Sequence, residues 1–327
     1  MAKKKATIYD VAKLASVSLA TASRVINGID KVAPDTKEKV LDAIKQLNYK
    51  PNSIAVELAS RKNTNVAIIV PELNYTYISN VVSGLISEAR SVGYDCLIFT
   101  TKDSKNDISK TISKVLSLRP NGIVIFNDSL TENELSELVC FDIPVVSLGV
   151  EIPNVSSVTW HYKAQIVDLV NEALKRNREV YFIKVEGFGR MQERMINGIK
   201  QAYLENGKTF NNIIETKDSY KVVYQEIKNQ LPSIKNGLFI ACRDSLALAA
   251  LNAALDLNLN VPNDFEFMAM IGTKYSELTR PKLSSFDINM KGLGHEGMKT
   301  LAKIIEDNNL KINTKLPFVY VKRGSTI

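Results

Sequence analysis

TIYDVAKLASVSLATASRVINGIDKVAPDTKEKVLDAIKQLNYKPNSIAVEL, residues 7–58, carries the punctuation of three short helices followed by a linker. Thr7 and Asp10 stand three apart, which puts an acceptor oxygen at a helix N-cap and a carboxylate in its first turn. Ile8, Val11, Ala12 and Ala15 then recur at helical spacing. Ser16, Val17 and Ser18 interrupt that pattern. A second run, with Ser18 as its N-cap, carries Ala22, Val25 and Ile26 on one face and stops at Asn27-Gly28. A third, Pro34 to Leu47, offers Val40, Leu41, Ile44 and Leu47 as the apolar face that closes a small core beneath the first two. Tyr49-Lys50-Pro51-Asn52 breaks it. Two helices joined by about four residues form a helix-turn-helix. Periodicity alone also fits an ordinary helical subdomain.

Charge supports the helix-turn-helix reading. Residues 1–62 hold ten lysines plus Arg24 and Arg61 against Asp10, Asp30, Asp35, Glu38, Asp42 and Glu57, while the whole chain is only +7. Nearly all of the net charge therefore sits on one small region, the footprint expected for phosphate contacts; a solubilising tail accounts for Lys3-Lys4-Lys5 alone. In a helix-turn-helix the N-terminal turn of the second helix points into the major groove, which makes Leu19, Ala20, Ser23 and Arg24 the candidates for base contacts. The Arg24 fork matches guanine O6 and N7 together. Thr7, Tyr9, Thr21, Asn27, Lys31 and Asn52 are the candidates for backbone contacts that set register, with plain packing an equal reading for Tyr9.

The rest of the chain is long enough, at 327 residues and 45% hydrophobic content, for two further compact units. From Asn65 onward short apolar runs alternate with helical segments, as in parallel α/β sheets. Strands are predicted at 66–70, 94–100, 122–126, 144–148, 180–184, 237–241 and 265–271. Helices are predicted at 79–92, 108–118, 163–175, 194–206 and 246–257. Two such halves, with ligand-facing loops at the strand C-termini, are the layout of a hinged binding protein that holds a small molecule between lobes. A single large Rossmann enzyme is the competing arrangement.

Catalytic constellations are scarce. The only histidines are His161 and His295, and no H-E-x-x-H, G-x-S-x-G or P-loop lysine motif occurs. Gly292-Leu-Gly294-His-Glu-Gly297 matches G-x-G-x-x-G, but no acidic residue follows at the spacing a dinucleotide site needs and no further βαβ unit comes after it. Those glycines read as easing a crossover into a helix at 298–305. Cys96, Cys140 and Cys242 are odd in number and far apart, against a disulfide framework or a metal site. No apolar window is long enough for a membrane span, and the lysine-rich start runs into a capped helix with no apolar signal region. The expectation is a cytoplasmic protein with no cofactor and no enzyme activity.

The motifs T-I-Y-D-V-A, V-S-x-x-T-x-S-R-V-x-N-G and K-V-L-x-A-I-x-x-L-x-Y-x-P-N resemble the LacI/GalR family of transcriptional regulators. The likeness extends through V-P-E-L-N at 70–74, R-P-N-G-I-V at 119–124, D-S-L-A-L-A at 244–249, V-P-N-D-F at 261–265 and L-P-F-V-Y-V-K-R-G-S-T from Leu316. The resemblance implies an all-α helix-turn-helix headpiece (1–50), a hinge helix and linker (51–62), and a two-lobed, periplasmic-binding-protein-like α/β core. Its lobes would be 63–160 with about 289–318, and 161–288 with about 319–327. It further implies a homodimer on a pseudo-palindromic double-stranded operator, most simply as a repressor.

By the same resemblance Leu19 and Ala20 occupy the family's specificity pair. Leu58 matches the leucine wedged into the minor groove at the operator centre, where unstacking is exchanged for a bent duplex; a buried linker residue is the other reading. Ser16 departs from the family's turn glycine and would need a costly positive φ. In the core, Arg194 matches an arginine that contacts a sugar or purine and Asp244 an acidic helix start, with Asn74 and Tyr77 on the loop after the first strand. Two departures stand out: Trp160-His161 replaces a V-x-x-D pattern and Gly272-Thr273-Lys274 replaces G-F-D. Arg194, Lys274 and His161 together would suit an anionic effector such as a sugar phosphate or nucleotide better than a neutral sugar. Trp160 would stack on a sugar face or pack in the hinge. The alternative is an HPr-like protein co-regulator, as in the catabolite-control branch whose headpiece this one resembles.

Overall fold

The computed structural model describes residues 6–26, 28, 32–50, 64–101, 105–130, 132–139, 141–186 and 189–327. The chain forms two compact units, Met1–Asn63 and Thr64–Ile327.

In the first unit α1 (Ile8–Leu14), α2 (Leu19–Ile26) and α3 (Pro34–Gln46) enclose a core of Val11, Ala15, Val25, Val40 and Ala43. Asp10 holds the start of α1 by accepting from the Thr7 backbone N–H at 2.8 Å and the Thr7 hydroxyl at 2.7 Å. The Ser18 hydroxyl caps α2 by accepting from the Thr21 N–H at 3.1 Å. Between these helices Ser16 takes φ 53°, the left-handed conformation that its place in the turn demands, and Gly28 ends α2 at φ 68°. Leu41, read as core from its spacing, is instead 43% exposed, because the three-helix core is small enough to be filled by Val40 and Ala43 on the same helix.

The second unit contains two six-stranded sheets. The first has the order β11-β5-β4-β3-β1-β2, built from β1 (Asn65–Val70), β2 (Asp95–Thr100), β3 (Gly122–Ile125), β4 (Val145–Leu148), β5 (Ser156–Trp160) and β11 (Asn313–Leu316), all parallel. The second has the order β12-β10-β9-β8-β6-β7, from β6 (Val180–Val185), β7 (Ile213–Thr216), β8 (Gly237–Ala241), β9 (Phe265–Ala269), β10 (Ser284–Asp287) and β12 (Val319–Val321). Only the β10–β12 pair of that sheet is antiparallel. The chain thus leaves the first sheet after Trp160, returns after Asp287, and crosses again between Leu316 and Val319. At these passages Phe318 lies 5.6 Å from the Tyr162 ring and stacks on Phe286 at 4.2 Å, so one apolar cluster runs from lobe to lobe.

The helices are α4 (Thr76–Ser91), α5 (Lys105–Ser117), α6 (Glu132–Val139), α7 (Lys163–Lys175), α8 (Arg190–Glu205), α9 (Tyr220–Gln230), α10 (Asp244–Asp256), α11 (Lys274–Leu278) and α12 (Met290–Glu306). β7, β11 and β12 escape sequence reading because they are short edge strands with half-exposed, partly polar residues and no continuous apolar run. The predicted helix start at Arg194 is late by a turn: Met191 and Gln192 are buried in α8, and the Gln192 amide bonds both the N–H and the carbonyl of Val185 at the end of β6. The glycine motif at 292–297 is also different from the crossover loop expected of it, for all three glycines lie inside α12. A Cβ on Gly294 would run into the carbonyl of Val81, and one on Gly84 into the carbonyl of Lys291, so glycines on both helices let the α4 and α12 backbones touch.

Candidate DNA-reading face and interlobe cleft

On α2 the buried residues Ala22 and Val25 turn Leu19, Ala20 and Arg24 outward, with Thr21 and Ser23 half-buried beside them. An apolar pair and one guanidinium therefore share the solvent-facing side of the helix start, the arrangement a major-groove reader needs. The Thr21 hydroxyl lies 2.8 Å from that of Ser18, and Thr7 is exposed beside Asp10. Tyr9 is 69% exposed, so the described residues leave its ring accessible. Asn27, Lys31, Asn52 and Leu58 fall outside the described residues.

In the second unit the C-terminal ends of the strands from both sheets bring polar side chains together. Beyond β1, Asn74 is exposed, whereas Tyr77 is buried and meets the Phe126 ring edge-on at 6.1 Å. Burial pushes the Tyr77 hydroxyl far above its ordinary titration range, against the pull of the Arg243 charge. After β3, Asp128 accepts from the Met191 N–H of α8 at 2.9 Å. Burial raises the Asp128 carboxyl above the usual carboxylate value, while the Met191 N–H and the charges of Arg190 and Arg194 oppose the rise. The Tyr162 hydroxyl donates to the Met191 carbonyl at 3.4 Å; burial raises its pKa, and the charge of Arg194, on the exposed side of α8, opposes the rise.

After β7, Asp218 accepts from the Tyr75 hydroxyl at 2.6 Å and pairs with Arg243, whose guanidinium lies 4.3 Å from the Tyr75 ring. These contacts join the two sheets' loops directly. A cavity of about 20 Å³ remains between Pro71, Tyr77, Phe126, Asp128, Val150 and Met191, room for about one water molecule.

The other residues singled out in sequence are placed differently. Trp160 is buried against Phe126 below Gly149, the hinge-side packing reading rather than an open stacking face. Asp244 accepts from the Thr273 N–H at 2.6 Å and the Ser276 hydroxyl at 3.4 Å, pinning the loop before α11. Burial raises its pKa and these bonds oppose the rise. His161 and Lys274 are exposed, and the Lys274 ammonium lies 5.7 Å from the Tyr275 ring. Tyr75, Asp128, Asp218 and Arg243 were missed because they are distant in sequence and no motif links them; Arg243, directly before the quoted D-S-L-A-L-A, was the one legible signal. Among the described residues no group of His, Cys, Asp and Glu is arranged to hold a metal, and no helix is long and apolar enough to cross a membrane.

Residues 7–52 match the model of bacterial regulatory proteins of the lacI family, and residues 175–326 that of a periplasmic binding protein-like domain. Catabolite control protein A of Priestia megaterium is 30% identical, over 98% of this chain and 99% of that protein. The chain belongs to the lacI family. The HTH-type transcriptional regulator pepR1 of Lactobacillus delbrueckii subsp. lactis is likewise 30% identical, over 100% of this chain and 99% of its own. Among solved structures, the lac repressor dimer bound to operator and the anti-inducer ONPF superposes with a TM-score of 0.86 at 23% identity, covering 99% of this chain and 100% of that one, a match of fold. As a lacI-family member this protein is a DNA-binding transcriptional regulator, with a helix-turn-helix region followed by a two-lobed α/β core.

Proposed function

We propose that this regulator is a cytoplasmic repressor that binds a pseudo-palindromic operator as a homodimer and answers to a small-molecule effector held between its lobes. The observation that carries the DNA-binding part is the outward face of α2, where Leu19, Ala20 and Arg24 stand exposed on a unit that holds almost all of the net charge. Arg24 reads a guanine with Ser23 making base or nearby contacts beside it, Leu19 and Ala20 contact thymine methyls or exclude other bases, and Thr7, Tyr9, Thr21, Asn27, Lys31 and Asn52 fix register on the backbone. Leu58 wedges into the minor groove at the dyad. The effector reading rests on Tyr75, Asp218 and Arg243 meeting between the lobes, with Asp128 tied to the Met191 N–H and the charge of Arg194 acting on Tyr162 and Asp128. A ligand that changes how the lobes close changes the separation of two linkers in a dimer, and with it the cost of ordering them on DNA.

A second reading, control by an HPr-like protein, is supported by the likeness to catabolite control protein A, which is 30% identical over nearly the whole chain.

Selection of a binding site from random duplexes, followed by fluorescence anisotropy across a salt series, tests the first part. The expected result is a two-fold symmetric site and an affinity that falls by roughly 10³-fold or more between 50 and 200 mM salt. Removal of residues 1–62 abolishes binding on this reading. An asymmetric site overturns the homodimer, and a reporter whose expression falls when the gene is deleted overturns repression.

A further inference from the structure

Arg243 is the second residue after β8, at the end of the second sheet that faces the first, and it is only 5% exposed. Its position is fixed from behind, since the next residue begins α10 and is anchored to the Thr273 N–H. A guanidinium so buried costs several kcal/mol unless a negative group meets it. That group is Asp218, which sits on the turn between β7 and α9 rather than inside an element. The Asp218 carboxylate is shared: one oxygen, Oδ1, pairs with Nη2 of Arg243, and the other, Oδ2, accepts from the Tyr75 hydroxyl at 2.6 Å. Tyr75 belongs to the first lobe. A single carboxylate thus bridges a donor from each lobe, at the strand C-termini where α/β proteins take their ligands.

We propose that Asp218 is an internal stand-in for the carboxylate of a small organic acid, and that such a ligand replaces it between Arg243 and Tyr75 to control lobe closure. This rests on the effector reading above and narrows it to one chemical class. Two donors aimed at the two oxygens of one planar group fit a carboxylate. A phosphate monoester brings a third oxygen and a second charge toward Tyr77, which stacks on Tyr75 and lines one small cavity with the Asp128 carboxylate. The carbon body of the acid lies against the Tyr75 and Tyr77 rings, which are stacked 5.8 Å apart at 23°. Because the ligand must first displace Asp218, its apparent affinity in the native protein is reduced by the fraction of molecules in which Asp218 has withdrawn.

The test is chemical rescue of the full-length protein. Asp218→Ala melts below wild type. Sodium acetate, at ionic strength matched with sodium chloride, raises its melting temperature by roughly 2–3 °C at tenfold excess over the apparent dissociation constant, as mass action requires. Wild type shows a far smaller acetate response, and Asp218→Ala combined with Arg243→Gln shows none. Should Asp218→Ala fail to fold, Asp218→Asn is read in the same way, since a neutral amide yields the Arg243 site to acetate. Absence of acetate rescue in a folded variant overturns the proposal, as does rescue that survives Arg243→Gln. Inorganic phosphate rescuing better than acetate overturns the carboxylate class and returns the effector to sugar phosphates and nucleotides. Operator anisotropy of wild type is recorded alongside: its failure sinks the regulator reading, whereas failed rescue beside intact operator binding sinks this inference alone.

Discussion

The backbone N–H of Met191, in the first turn of α8, donates a 2.9 Å hydrogen bond to the Asp128 carboxylate on the loop after β3. A helix of the second lobe is thereby tied to strand ends of the first. With the Tyr75–Asp218–Arg243 contacts, it makes lobe closure a matter of a few named polar groups rather than of apolar area alone.

Asp128→Asn tests the charge at that tie. Burial raises the carboxyl's folded pKa above its unfolded value, so this group's stabilising contribution is complete below about pH 3.9 and is lost as pH rises through the folded value. Asparagine keeps an acceptor for Met191 and does not ionise. The variant's melting temperature relative to wild type is therefore expected to climb between pH 4 and 7, with the variant more stable at neutrality. A variant less stable at pH 7 would show that Arg190 and Arg194 outweigh desolvation.

Arg24→Ala should cost about 1–3 kcal/mol in operator affinity and relax discrimination at one base pair of each half-site. Competition between operators substituted at each position measures it. A loss that is uniform across all sequences would assign Arg24 to phosphate instead.

Ser16→Gly removes a side chain from a backbone at φ 53°. Left-handed geometry costs an L-residue about 1–2 kcal/mol, partly offset by glycine's larger unfolded-state entropy. A net gain of about 0.5–1 kcal/mol is expected, read as slower hydrogen exchange of the α1 and α2 amides in the full-length protein. Faster exchange would mean that the serine side chain contributes more than the strain it carries.

Gly294→Ala and Gly297→Ala distinguish close helix packing from a ligand loop. The Gly294 Cβ meets backbone of α4, which cannot move aside, whereas that of Gly297 meets the end of the flexible Leu148 side chain. Overpacking costs about 1–3 kcal/mol or more, so Gly294→Ala should lower the melting temperature by several degrees and Gly297→Ala by clearly less. Equal effects would contradict the α4–α12 contact as the reason for the motif.

Sequence by itself determined the elements whose signals are local. The Thr7–Asp10 and Ser18–Thr21 caps, the Asn27-Gly28 stop and the positive φ at Ser16 are written in neighbouring residues, because capping and turn geometry act over three or four positions. The buried runs of β1, β3, β8 and β9 are equally legible, since a strand covered on both faces is continuously apolar. The outward face of α2 followed from helical spacing alone.

Only the tertiary structure decided the rest. Whether Lys274, His161, Arg194 and Asp244 share a site depends on how two sheets interleaved three times along the chain present their loops, and no local pattern encodes that. Asp244 became an anchor for its own lobe, Trp160 became packing, and the charged groups that bridge the lobes proved to be Asp218 and Arg243, with Tyr75. Those three residues come from separate loops, and a bond between distant residues leaves no periodicity in either segment. Gly294 makes the same point: its motif looks like a phosphate loop in one dimension, and in three it is a backbone-to-backbone contact between α12 and α4.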